Sequence, residues 1–228
     1  MDLRKAMGIA EILENASPTS LAALASCASL KRVKKGTHLF RDKDDVDTIY
    51  TVISGMVSLY KYNSVGEKKV IFVFDMGKTI NEVIINDLPA SINCEVFQDA
   101  CILCIPKDQL LYIMEQDFKL AKAIMDSMSM KIRRLYRQLK NTSNAVRGDK
   151  RIAAKLWKLS LDYGEKSDEG WLITMNLTIT YLADMLGSKR ETVSRSLKQL
   201  TDLGLVIYRD SHFLIPDRDR LAEYFKSP

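Results

Sequence analysis

The stretch Leu177–Leu205, LTITYLADMLGSKRETVSRSLKQLTDLGL, restricts this chain more than any other. Leu182, Ala183 and Leu186 fall on one face of a helix. Gly187 ends that helix, because glycine enters the left-handed turn at little cost. Ser188 reads as the start of a second helix, with Glu191 three residues on completing a Ser-x-x-Glu capping box. Val193, Leu197 and Leu200 face inward at helical spacing, which leaves Lys189, Arg190, Thr192, Ser194, Arg195, Lys198 and Gln199 outward. Helix, glycine turn and helix make a helix-turn-helix, whose second helix lies in the major groove of DNA. Arginine at such a position can donate two parallel hydrogen bonds to guanine, and glutamate can accept from the cytosine amino group. Arg190 and Arg195 are five apart and address successive steps of the groove; Thr192 and Ser194 suit phosphate or base contact. Glu191 keeps two readings, helix cap or base reader, and the plain alternative for Arg195 is a solvated surface charge. Beyond the helix, Gly204–Tyr208 and Phe213–Ile215 flank Arg209-Asp210-Ser211-His212, which reads as the hairpin of a wing.

The first third of the chain has a different period. Leu39–Phe40, Thr48–Ile53, Met56–Tyr62, Lys69–Phe74 and Ala100–Ile105 are strand-like runs. Lys35-Gly36, Ser54-Gly55, Val65-Gly66 and Met76-Gly77 read as the turns between them. Strands so spaced, with no helices between, predict a closed or double-sheet antiparallel structure behind a helical preamble over residues 1–30.

From Pro106 the helical period takes over, with a helix starting at Pro106-Lys107-Asp108. Ala121, Met125, Met128, Ile132, Leu135, Leu139 and Thr142 then follow in alternating steps of four and three. That is an a/d seam, read as the packing line of a homodimer, with a helix lying on its own domain as the other reading. Residues 119–155 hold 11 basic and two acidic residues, against a net charge of only +5 for the chain. This basic run suits either a solvated face or a polyanion. Asn141–Gly148 breaks the seam and reads as a hinge; a helix through Ile152–Leu159, a polar loop Tyr163–Gly170 and a strand Trp171–Met175 follow. The fold expected is α+β. A sensor β-roll (double-stranded β-helix or jelly-roll-like, with flanking helices) spans residues 1–116, a dimerisation helix 117–143 and a winged helix-turn-helix 144–228.

Composition narrows the function classes. With 228 residues, 46% apolar and 28% charged, the chain is neither disordered nor repetitive. It has no apolar run of membrane-spanning length and no signal-peptide core, so a cytoplasmic protein without a membrane partner is expected. Four cysteines are too few for a disulfide scaffold. Two histidines, with no nucleophile constellation, metal-ligand cluster or phosphate loop, argue against an enzyme; no catalytic residue and no metal ligand is expected.

Gly187–Arg195, with Leu197 and Leu203-Gly204-Leu205, resembles the recognition helix of the CRP/FNR superfamily of bacterial transcription regulators. Lys35-Gly36, Phe40, Tyr50, Ser54-Gly55, Val57, Tyr60, Gly66-Glu67 and Gly77 sit where its cyclic-nucleotide-binding-like β-rolls place turns and strands. Arg151-Ile152-Ala153 resembles the start of its DNA-binding domain, so the resemblance covers nearly the whole chain. It implies a homodimer on a palindromic operator in double-stranded DNA. Arg190, Glu191 and Arg195 would then read a TGTGA-like half-site, and Ser194 is more like the FNR type. It also implies RNA polymerase as a partner, met near Tyr163–Gly170 in the manner of an activator.

The effector site departs from that pattern. Nucleotide-binding members carry Gly-Glu and, about ten residues later, Arg-Ser or Arg-Thr for the cyclic phosphate. Here Glu82 and Ser91 remain, but no Arg or Lys lies between Lys78 and Lys107. A buried phosphate needs a cationic or donor-rich partner, so cyclic AMP is not expected as a ligand and no cofactor is predicted. The input favoured instead is a small organic ligand near Asn81, Glu82, Ala90, Ser91, Met125, Met128 and Ser129. The alternatives are a cysteine redox input through Cys101-x-x-Cys104, a constitutive regulator, or a cyclic-nucleotide module without DNA binding. Iron–sulfur and haem inputs lack ligands, since only Cys27 is N-terminal and only His38 and His212 exist.

Overall fold

The computed structural model describes residues 1–140 and 147–227. The chain divides into two compact units, Met1–Lys61 with Ile71–Asn141 and Tyr62–Val70 with Thr142–Pro228. The fold is α+β, as expected.

The first unit opens with α1 (Leu3–Met7), a 3₁₀ turn at Glu11–Leu13 and α2 (Pro18–Cys27). The start of α2 is fixed by Pro18 in its first turn and by the Ser17 hydroxyl, which accepts from the Ser20 N–H. The helical preamble ends there, because β1 (Ser29–Val33) begins two residues later. Then come β2 (His38–Phe40), β3 (Thr48–Tyr62), β4 (Lys68–Phe74, its first three residues grouped with the second unit), a 3₁₀ turn at Glu82–Asn86, β5 (Asn93–Pro106), α3 (Lys107–Met114) and α4 (Phe118–Lys140).

The sheet runs β1-β5-β3-β4, with β2 also on β5. One edge of β5 pairs with β1 through Ala100–Cys104 and with β2 through Cys94 and Glu95. The other edge follows β3 from Asn93 to Pro106. The turn expected at Ser54-Gly55 is not a turn. Gly55, at φ 78°, forms a bulge within one 15-residue strand, and pairing with β5 continues on both sides. A Cβ there would sit 2.1 Å from the Asp99 carbonyl oxygen, so the position requires glycine. Ile49, Val52, Ile53, Val57, Ile102, Leu103 and Ile105 fill the core of the roll, and Leu110, Leu120 and Ile124 seal it from the helices.

The second unit holds α5 (Gly148–Tyr163), β6 (Gly164–Ser167), β7 (Gly170–Ile173), α6 (Ile179–Leu186), α7 (Arg190–Asp202), β8 (Ile207–Arg209), β9 (His212–Ile215) and α8 (Arg218–Lys226). Its sheet runs β6-β7-β9-β8. The segment read as a polar loop, Tyr163–Gly170, is mostly strand: Gly164–Ser167 pairs antiparallel with Gly170–Ile173, so the hairpin's backbone bonds override its polar composition. The strand expected over Trp171–Met175 runs instead from Gly170 to Ile173. Asp217 starts α8 by accepting from the Asp219 and Arg220 N–H groups. The predicted hinge Asn141–Gly148, apart from Arg147 and Gly148, lies outside the described residues, as does Thr142 of the seam.

Candidate nucleic-acid interface

The Thr178 hydroxyl accepts from the Tyr181 N–H and starts α6. Gly187 ends it in the left-handed conformation, φ 58° and ψ 47°. The Gly187 N–H reaches the Asp184 carbonyl and the Ser188 N–H the Ala183 carbonyl, at 3.3 and 3.0 Å. Ser188 is thereby spent on the end of α6. The second helix starts at Arg190 with Lys189 as its N-cap, and no side chain caps it. The expected Ser188–Glu191 capping box is absent, because the chain leaving the glycine turn needs two further residues before helical geometry resumes. The Ser188 hydroxyl lies 3.5 Å from the Leu186 carbonyl instead.

Glu191 is therefore released from capping. Val193, Leu197 and Leu200 are buried, while Lys189, Arg190, Glu191, Thr192, Ser194 and Arg195 are all exposed. Among the described residues no hydrogen bond or ion pair engages the side chain of any of these six. Arg190, Glu191, Ser194, Arg195 and Lys198 line a shallow cleft on the outer face of α7.

The wing forms as read. Asp210 and Ser211, at φ 51° and 60°, make the two-residue turn between β8 and β9. Arg209 is ion-paired to Glu169 in the β6–β7 turn. Behind α6, the Arg151 guanidinium donates to the Leu186 carbonyl at 2.8 Å. The Arg218 guanidinium lies 3.4 Å from the centroid of the Trp171 ring and donates to the Ser160 hydroxyl.

In the first unit, α4 shows two stripes about one residue, or roughly 100°, apart around the helix. On one, Met125, Ile132, Leu135 and Leu139 are exposed and Ala121 and Met128 half-buried. On the other, Leu120, Ile124, Ser127, Lys131, Arg134 and Gln138 turn to the roll. The basic run is thus not one face: Lys131 and Arg134 lie over the Phe74 and Phe72 rings, and Lys150 and Arg151 donate to carbonyls.

The residues expected around an effector stand in different settings. The Asn81 amide is spent on the roll itself, accepting from the Tyr50 N–H at 2.9 Å and donating to the Thr48 carbonyl at 2.8 Å. Ala90 is buried, with its backbone bonded to Lys43 and Asp44. Ser91, Met125 and Ser129 are exposed, and Met128 packs against the core. Glu82 is fully buried, but its carboxylate meets the Lys131 ammonium and the Ser127 hydroxyl of α4. Neither was singled out with Glu82 in the sequence, where Lys131 stood in the basic run. The signal that finds both is the second four-three stripe on the same helix, running from Leu120. Burial pushes the Lys131 ammonium down, with Glu82 pushing it back up.

All four cysteines are free thiols. Burial pushes the Cys27, Cys94 and Cys104 thiols up, which disfavours the nucleophilic thiolate at all three. Among the described residues no group of three or more His, Cys, Asp and Glu could hold a metal ion, and no helix is long and apolar enough to cross a membrane.

Two family models match in sequence order, the cyclic nucleotide-binding domain over residues 30–117 and the Crp-like helix-turn-helix domain over residues 150–224. The chain is 26% identical over 195 residues to the anaerobic regulatory protein of Bacillus subtilis (strain 168), covering 84% of this chain and 81% of that one. It is 23% identical over 216 residues to the CRP-like cAMP-activated global transcriptional regulator of Mycobacterium tuberculosis, covering 93% and 95%. Its fold is similar to that of CLP, the c-di-GMP responsive global regulator of Xanthomonas campestris. The TM-score is 0.77 at 19% identity, over 88% of this chain and 100% of that one. A nucleotide-binding-type roll followed by a Crp-like helix-turn-helix defines a class of DNA-binding transcription regulators. The chain belongs to the CRP/FNR family of that class.

Proposed function

We propose that this protein is a homodimeric regulator that reads an inverted repeat with a TGTGA-like half-site and needs no cyclic nucleotide to do so. Arg190, Glu191 and Arg195 read base edges; Lys189, Thr192 and Ser194 hold phosphate and neighbouring bases. The observation that carries the reading is that these six side chains are exposed and without a partner among the described residues, with Glu191 free of the capping role it could have had. The exposed apolar stripe of α4, Met125 to Leu139, supports a two-fold dimer seam. The roll, a dimer seam along α4 and the reading head that follows divide the labour. Such a protein works in the cytoplasm beside its DNA, and RNA polymerase is its second partner.

The M. tuberculosis relative is named as cAMP-activated, and the X. campestris protein as responsive to c-di-GMP. For this chain neither ligand class is proposed. The carboxylate at Glu82 is already met by Lys131 and Ser127, so the cation beside it is spent on that carboxylate rather than held for a phosphate. Of the non-nucleotide readings, the effector-independent one gains most, because the polar groups of Asn81 and Glu82 that an organic ligand would need are satisfied from within. Selection of bound sequences from a random duplex pool with purified, unsupplemented protein tests this. Enrichment of a palindrome with a GTGA-like core supports the reading; no enrichment from an intact dimer contradicts it.

A further inference from the structure

Where α4 lies on the roll, its inner face changes from apolar to polar. Leu120 and Ile124 are fully buried, and Ser127 and Lys131 continue the same stripe toward Glu82. The Glu82 side chain is 0% exposed and that of Lys131 14%. A lysine ammonium has three N–H donors. These go to the Thr79 carbonyl at 2.9 Å, the Ile80 carbonyl at 3.1 Å and one Glu82 oxygen. The other Glu82 oxygen accepts from the Ser127 hydroxyl, and the ammonium lies 4.8 Å from the centroid of the Phe74 ring. Carboxylate, two carbonyls and an aromatic face are what a primary ammonium ion requires when taken out of water. Burying an ion pair is a poor source of stability, because desolvation offsets the attraction. Directional bonds of this kind constrain the rotation and height of a helix more narrowly than apolar contacts such as those of Leu120 and Ile124 do.

Resting on the effector-independent reading above, we propose that the roll carries a primary-ammonium site whose resident ligand is the chain's own Lys131, and that this occupancy sets α4 for DNA binding. Lys131 is a positioning residue: it acts on DNA only through the helix it holds. The site takes primary alkylammonium ions and rejects phosphates, since its one buried charge group is an anion.

The test uses the full-length Lys131→Ala variant with propylammonium, which restores the atoms removed. Its melting temperature is expected to rise saturably with propylammonium and not with tetramethylammonium, while wild type responds to neither. Its affinity for the selected operator is expected to fall by about tenfold or more, in the range of ordinary coupling between separate sites, and to recover with propylammonium. Should Lys131→Ala not fold, Glu82→Gln combined with Lys131→Met keeps the volume and removes both charges. That pair is expected to fold and dimerise, to lose operator affinity by a similar factor and to ignore propylammonium. A Lys131→Ala variant blind to propylammonium, or a double variant that binds operator as wild type does, overturns the proposal. The melting readout involves no DNA, so a wild-type protein that binds no operator counts against the proposed function while the ammonium site is still decided.

Discussion

Arg190 and Arg195 stand on the exposed side of α7 with no partner among the described residues, which leaves their donors open for the proposed contacts with bases. Arg190→Ala and Arg195→Ala should each cost about 1–3 kcal/mol of discrimination at one base pair, read from competition with single-substitution operators. Lys189→Ala should weaken all duplexes alike and flatten the salt dependence, if it meets phosphate. Asp117 makes a different kind of prediction. Its carboxylate accepts from the Ser17, Lys119 and Leu120 N–H groups, and the Ser17 bond foremost holds it well below the usual carboxylate range. A depressed pKa means that the folded state binds the proton more weakly than the unfolded chain. The stability from Asp117 is thus complete above the unfolded value of about 3.9 and is lost as pH falls toward the folded one. Asp117→Asn should lower the melting temperature at neutral pH, and the gap from wild type should close as the buffer is taken below that value. At this scale the exposed set on α7 is legible in the sequence, and the contact of Lys131 with Glu82 is not. The outward set on α7 follows from the inward set Val193, Leu197 and Leu200 by helical period alone. The partnership of Lys131 with Glu82 joins residues 49 positions apart, and no local period encodes it.

The long helix α4 shows what a period can and cannot convey. Its four-three seam was visible because exposed apolar residues stand out against charge. The inner stripe was hidden because it turns polar halfway, at Ser127 and Lys131, and so reads as a solvated face. Leu135→Glu or Ile132→Glu would set like charges against each other along the outer stripe. Either should shift the proposed dimer toward monomer in sedimentation while melting of the roll changes little, since neither side chain is in the core. Two further elements depart from their local signals for identifiable reasons. Gly55 reads as a turn, but β3 continues through it as a bulge, with pairing to β5 on both sides. Ser188 reads as a cap, but the end of α6 claims its N–H first. Gly187→Ala should cost about 1 kcal/mol through the left-handed backbone, measurable by thermal melting, and should loosen the angle at which α7 is presented.

For the whole molecule, a two-fold dimer along α4 would present two copies of α7 to one face of DNA, with half-sites about 34 Å apart. A regulator that carries its own cation at Glu82 has its sensor side already filled, so its activity should track the amount of protein rather than a nucleotide signal. The most direct measurement is a titration of unsupplemented protein against a duplex with the inverted repeat and one with a single half-site scrambled, each repeated with cyclic AMP. The expected result is tight binding to the intact repeat alone, lost with either half-site and unchanged by the nucleotide. Binding that appears only when cyclic AMP is added, or that ignores the half-sites, would contradict a self-supplied regulator reading through Arg190, Glu191 and Arg195.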